Sequence, residues 1–398
     1  MSSRVVIAAV SVLTAVGVSA AVTGTADAAT AETYYVATEG SDSAAGTIDA
    51  PFATIQKAID SVGAGEVIAV RGGTYALTAN LQITRSGTAE APITLTRYGD
   101  ERVVIDGEAL DYTPGAVGST IPAAQRGAIH MAASYWRLFG LEIEHGPYGV
   151  YCDDCNGNTF EQLVTHDNYE TGFQLQGDSA GNMILNLDSH DNRDPRKNGE
   201  SADGLGIKEG SGAGNVVSGA RLGNNVDDGF DAWSFGSPIT IENSIAYGNG
   251  YNRWDIPDFS GDGNGFKLGG SSGTGPAAGH VVSNSMAFGN AAHGFTDNGN
   301  TGAITIARAT AYGNGKTGFD CDGGSSTILS ANLAVGNATA VALGSLSGGS
   351  GNSWDIGGTW TLLSTDPSTI TGARDADGAI PSSDFLVPAN GAAVGAKI

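Results

Sequence analysis

Seven asparagines recur through the middle of the chain at a spacing that few folds can accommodate. Asn168, Asn192, Asn225, Asn249, Asn290, Asn314 and Asn337 are separated by 24, 33, 24, 41, 24 and 23 residues. A turn follows each, and all but the last are then followed by Gly with Phe or Leu, as in Gly172-Phe173, Gly229-Phe230 and Gly265-Phe266. A period near 24 broken by two insertions describes a solenoid, in which each repeat packs only on its neighbours. Short alternating strands such as Ile239-Thr240-Ile241 and Ile304-Thr305-Ile306 precede the asparagines. Several short strands per repeat, punctuated by Gly and Asn, indicate a β-solenoid rather than a helical array. Leucine-rich repeats are excluded because their leucine spacing is missing. The expected fold is all-β, a right-handed parallel β-helix in which the asparagines stack at one turn and hydrogen-bond along the axis.

The ends read differently from the middle. Phe52, Ile55 and Ile59 have helical spacing within Pro51–Ile59, so a short amphipathic helix is expected to cover the first coil, whose strand edge is otherwise open. The period fades from Gly344, where Trp354 and Trp360 suggest a closing cap. At the very start, Arg4 precedes an apolar run from Val5 to Val22 and then Ala26-Asp27-Ala28. This is the pattern of a secretory signal peptide over residues 1–28, leaving 29–398 as one secreted, extracellular, monomeric domain. A membrane anchor is the alternative, because the run is nearly long enough to span, although its Ala, Ser, Thr and Gly content is weakly apolar. The net charge of −23 disfavours nucleic acid and anionic membranes as partners. Cys152-Asp153-Asp154-Cys155 has zinc-like spacing but no second ligand pair, so a local disulfide or two buried thiols is expected, with Cys321 unpaired.

Aligning the coils on their Gly-Phe or Gly-Leu pairs exposes two columns. The residues before Gly run Thr171, Asp203, Asp228, Asn264, His293 and Thr317, and those after the aromatic run Gln174, Gly206, Asp231, Lys267, Thr296 and Asp320. With Phe and Leu inward, alternation sends both columns to the outer face. Asp203 is then expected near Asp228, Asp231 near Lys267, and Asp227 at the adjoining turn. Four carboxylates so close repel one another unless a cation binds, and dense hard oxygen donors suit Ca²⁺. The insertions, Arg193–Ala202 and Tyr251–Gly261, enter the turns of these same coils and would wall a cleft. Isolated outward aspartates would simply be solvated, but four aligned with a lysine and two insertions point to a site.

Ala202-Asp203-Gly204, Asp227-Asp228-Gly229-Phe230-Asp231 and Gly263-Asn264-Gly265-Phe266-Lys267-Leu268-Gly269 resemble, in order and spacing, the pectate lyases of polysaccharide lyase family 9. The resemblance extends from about Thr33 to Phe385. It implies that Asp203, Asp227, Asp228 and Asp231 bind one calcium ion and that Lys267 is the catalytic base in β-elimination from a polygalacturonate. Lys208, two residues beyond Gly206, is a rival base or a grip for a substrate carboxylate. Arg196, Lys197 and Arg253 in the insertions, with Asn264, are expected to contact the acidic polymer. Two other readings remain open on the residues alone: a β-helical polygalacturonan hydrolase, which would need one protonated carboxyl beside a carboxylate, and a non-catalytic, calcium-stapled glycan-binding solenoid. Within the lyase reading, another acidic glycan such as rhamnogalacturonan is an alternative substrate.

Overall fold

The computed structural model describes residues 32–273 and 275–398; the expected signal peptide lies outside the described residues. Three parallel sheets run the length of Glu32–Ile398. The longest is 12-stranded, from Thr33–Val36 to Gly348–Ser350, and two others are 10-stranded. One of these, here the site sheet, runs from Leu81–Ile83 to Thr339–Leu343, and the third sheet runs from Gly73–Ala76 to Leu333–Val335. Apart from the first two, Thr33–Val36 and Val67–Val70, consecutive strands do not pair with each other; each pairs with its counterpart one coil away, the signature of a parallel β-helix.

The asparagine ladder forms as expected. The Nδ2 of Asn168, Asn192, Asn225, Asn249, Asn290 and Asn314 each donates to Oδ1 of the next asparagine at 2.8–3.1 Å. The amide of a buried turn is thereby satisfied in every coil, where water cannot reach it. The Gly of the Gly-Phe pair has a steric reason. A Cβ on Gly229 or Gly265 would lie 2.9 Å from the Nδ2 of Asn249 or Asn290, so the ladder and the glycine are one device. A second, shorter ladder, Asn158–Asn182–Asn215, stacks at another turn. Inside, Phe266, Phe295 and Phe319 stack nearly parallel at 4.9 and 5.1 Å.

The N-terminal helix occupies Ile55–Ser61 rather than beginning at Pro51, because Thr54 caps it and Asp42 accepts from the amides of Ala53 and Thr54. Phe52, Ile55 and Ile59 are buried as their spacing predicts. At the other end Trp354 packs on Phe319. The tail beyond it does more than cap the last coil. It returns along the solenoid, burying Ile370, Phe385 and Leu386 against Ile245, Met286 and Phe288, and Arg374 clamps Asp188 at 2.6 Å. Cys152 and Cys155 form a disulfide, and Cys321 is a buried free thiol. Among the described residues no helix is long and apolar enough to cross a membrane.

Candidate active site

The site sheet carries the two columns in the expected register. Gln174 pairs with Gly206, Gly206 with Asp231, Asp231 with Lys267, Lys267 with Thr296, and Thr296 with Asp320. Their inward neighbours are Leu205, Phe230, Phe266, Phe295 and Phe319. The aspartates, however, do not sit on an open face. Asp203, Asp227, Asp228 and Asp231 are all at most 2% exposed. The insertions cause this: Ile256 buries against Val226 and Ala202 with Trp254 and Phe259 beside them, and Ser260 N–H donates to Asn198 O between the two loops at 2.9 Å. A small apolar cluster of loop residues thus roofs a charged one.

Beneath that roof Asp203, Asp227 and Asp228 each bring a carboxylate oxygen within 4.8 Å of the others. Asp231 lies beside them, with Lys208 Nζ bridging it and Asp203 at 2.8 and 2.5 Å. Lys267 Nζ is 3.1 Å from Asp228, 3.6 Å from Asp231 and 2.7 Å from Asp262. Burial pushes the Asp203 carboxyl up to about 7, with Asp231 and Asp228 adding to it against the opposing Lys208. Burial likewise raises Asp228 to about 6 against Lys267, and drives Asp227 well above the usual range together with Asp228 and Asp203. Asp231 is also buried, yet Lys208 and Lys267 hold it below its ordinary value. Burial disfavours both ammonium groups, but the carboxylates around them raise both lysines.

The residues fit a hard divalent cation. Three buried carboxylates converge, and Asp228 Oδ2 makes no hydrogen bond, its close charged neighbour being the Lys267 ammonium at 3.1 Å. Four buried aspartates share two lysines, an excess of buried negative charge that is costly, and the all-oxygen donor set suits calcium or magnesium rather than a soft metal.

Several of the expected contacts are placed elsewhere. Asn264 is turned inward: its backbone N–H and Nδ2 both donate to Asp228 Oδ1, at 2.6 and 2.9 Å, so it orients a carboxylate instead of facing the cleft. Arg196 is 3% exposed and ion-paired with buried Glu170; a guanidinium carried into an interior must be paired. Arg253 donates to the Gly248 carbonyl and lies over Tyr251, away from the cleft-lining residues. Lys197 and Lys208 do line the cleft, an opening of about 600 Å³ that also includes Lys267, Asp231, Asp262, Trp233 and Arg126. Asp262, Trp233 and Arg126 were not among the sequence candidates. Asp262 directly follows the Tyr251–Gly261 insertion and lies on no rung, so no column alignment reaches it. Its position beside the Gly263-Asn264 motif was the available signal.

A family model described as "Pel9A-like, right handed beta helix region" matches residues 34–335. A pectate lyase of Emericella nidulans is 49% identical over 91% of this chain and 93% of its own length. The crystal structure of pectate lyase Pel9A superposes with a TM-score of 0.78 at 33% identity, covering 90% of each chain. A solved rhamnogalacturonan lyase superposes with a TM-score of 0.77 at 26% identity, covering 92% of this chain and 99% of its own.

Proposed function

The chain belongs to the Pel9A-like right-handed β-helix family, and from that premise we propose that it is a secreted pectate lyase cleaving polygalacturonate by calcium-assisted β-elimination. The observation that carries the mechanism is the juxtaposition of one lysine with a metal-competent carboxylate cluster. Lys267 Nζ stands 3.1 Å from Asp228, whose oxygens converge with those of Asp203 and Asp227 and include one without a hydrogen-bond partner.

The four aspartates Asp203, Asp227, Asp228 and Asp231 would hold calcium. An ion held there would supply Lewis-acid stabilisation of the uronate carboxylate, which would make the neighbouring C5 proton more acidic. Lys267 takes that proton on Nζ, the C5–H electron pair becomes the C4–C5 double bond, and the C4–O bond to the neighbouring sugar breaks, its oxygen taking a proton from solvent. To act so, Lys267 must be neutral, and the surrounding carboxylates by themselves hold it charged. Offsetting their charge is therefore a condition for the base, which explains why donor set and base share one cluster. Asn264 keeps Asp228 aimed with two hydrogen bonds. Lys208 has one side open to the cleft and suits a substrate carboxylate. The N-terminal apolar run with its small-residue site supports secretion.

Hydrolysis is disfavoured by the same geometry. A general acid needs a protonated carboxyl; the raised carboxyls of Asp203 and Asp227 are buried and do not line the cleft, and Asp231, the one clustered aspartate that does, is flanked by two ammonium groups that keep it ionised. Rhamnogalacturonan is the second substrate reading, favoured by the close superposition on a rhamnogalacturonan lyase.

The test is to incubate the purified protein with polygalacturonate at alkaline pH, with calcium or with chelator, and to follow ultraviolet absorbance of 4,5-unsaturated ends. Calcium-dependent absorbance that disappears in Lys267→Ala is the expected result. Reducing ends without absorbance would overturn the lyase, and cleavage of rhamnogalacturonan alone would select the second substrate.

A further inference from the structure

The four cations that line the cleft are not equivalent. Lys197 is paired with Glu170 at 3.4 Å, Lys208 with Asp203 and Asp231, and Lys267 with Asp228 and Asp262. Arg126 has no carboxylate oxygen within 4.0 Å among the described residues. In a chain with a net charge of −23, an unpaired guanidinium in a substrate cleft calls for an explanation.

Arg126 is also held in place. Its Nη1 donates to the Tyr151 hydroxyl at 2.8 Å, its Nε reaches the Ile121 carbonyl at 3.4 Å, and its guanidinium lies 5.3 Å from the centre of the Tyr151 ring. Tyr151 is itself buried and donates to Gln176 at 2.8 Å. Nη2 makes no hydrogen bond among the described residues. Glu209, an acidic residue that lines the same cleft, accepts instead from Gln176 at 2.8 Å. A pre-oriented fork with a free edge is the geometry that binds a carboxylate.

Its place on the solenoid sets the distance. Arg126 precedes the strand Ile129–Met131, and the site sheet then runs through the strands that begin at Val150, Phe173, Leu205, Phe230 and Phe266. The guanidinium itself rests on Tyr151, and four rung steps through Gln174, Gly206 and Asp231 separate that residue from Lys267, roughly 19 Å at about 4.8 Å per rung. A polysaccharide lying along the cleft would thus meet Arg126 several sugars away from the bond being cleaved.

We propose that Arg126 forms a distal subsite that pairs with a uronate carboxylate of the bound polymer and selects long, unesterified chains. The proposal rests on the pectate-lyase reading, and the experiment separates the two. Steady-state kinetics of the wild type, Arg126→Gln and Arg126→Lys would be compared on long polygalacturonate, on the same polymer methyl-esterified, and on the shortest oligogalacturonide the wild type cleaves. Losing one charge-assisted, partly solvated contact is expected to raise KM on the long polymer about tenfold, with kcat nearly unchanged. Arg126→Lys restores part of the loss, and the short oligomer and the esterified polymer show little change. An equal loss on long and short substrates would mean a merely structural role through Tyr151, and no change on any would remove the subsite. Either result overturns the proposal while leaving the lyase standing. If the wild type makes no unsaturated ends from polygalacturonate, the lyase reading itself fails and the subsite falls with it.

Discussion

Two faces of this solenoid carry stacked charged side chains, and they solve the same electrostatic problem differently. On the third sheet, Glu144 pairs in register with His166, and His166 with His190. Their surroundings supply balancing partners: Arg102 meets Glu142 at 2.5 Å, His166 Nε2 meets Glu142 at 2.9 Å, and Asp167 and Asp191 accept from the other ring nitrogens. Partial exposure lets water screen what remains. On the site sheet the charges are buried under two insertions and carboxylates outnumber ammonium groups. One oxygen, on Asp228, is left without a hydrogen bond. The half-exposed stack also brings Glu142, Glu144 and His166 within 4.8 Å of one another, but Arg102 and His166 pair with its carboxylates and water reaches the rest, so it serves the fold. An unbalanced, buried one stores an affinity for something cationic, and that is where function is to be sought.

The sharpest way to break this contrast is to remove the proposed base. Lys267→Ala should lower kcat by about a thousandfold, the range for a general base, while His166→Gln should leave kcat unchanged. Next in size is the calcium response. Calcium at a hundred times its Kd should stabilise the wild type by about 2.7 kcal/mol, read as a rise in Tm over the chelated protein. Asp228→Asn should abolish that rise, and substitutions on the third sheet should not. Asn264→Ala should sit between these extremes, lowering activity about tenfold by freeing Asp228 and weakening the calcium response without eliminating it.

The smallest effect belongs to the third sheet and is read through pH. Burial works against charging His166, but Asp167 and Glu142 raise it from 6.5 to about 9. Its contribution is therefore complete below pH 6.5 and is lost as pH rises through about 9. His166 and then Arg102, against burial, hold Glu142 down from 4.5 to about 2, so its contribution is present above pH 4.5 and is lost as pH falls through about 2. Both act fully between pH 4.5 and 6.5. After screening of a partly exposed pair, His166→Gln should cost about 1 kcal/mol at pH 6 and almost nothing at pH 10. Calorimetric Tm values at the two pH values check this.

Much of the site was legible because the columns of a solenoid are written into its period. Asp231 and Lys267 are neighbours through the same alignment that stacks Phe230 on Phe266. The cations were less legible. Arg196, Lys197 and Arg253 share a charge in the sequence, yet one is buried on Glu170, one lines the cleft and one caps a carbonyl. Loop residues obey no period, so their directions depend on packing with the other loop.

The sequence by itself determined the coil length in the middle of the solenoid through the asparagine spacing, the inward and outward faces through two-residue alternation, and the rung neighbours of Asp203, Asp228, Asp231 and Lys267. These are local, repeating constraints, and each coil restates them. Only the tertiary structure decided that the aspartates are buried, that Asn264 faces Asp228, that Asp262 reaches Lys267, and that the C-terminal tail returns along the third sheet to clamp Asp188. Each depends on contacts between segments without a common period, where desolvation and loop packing choose a geometry that no spacing encodes.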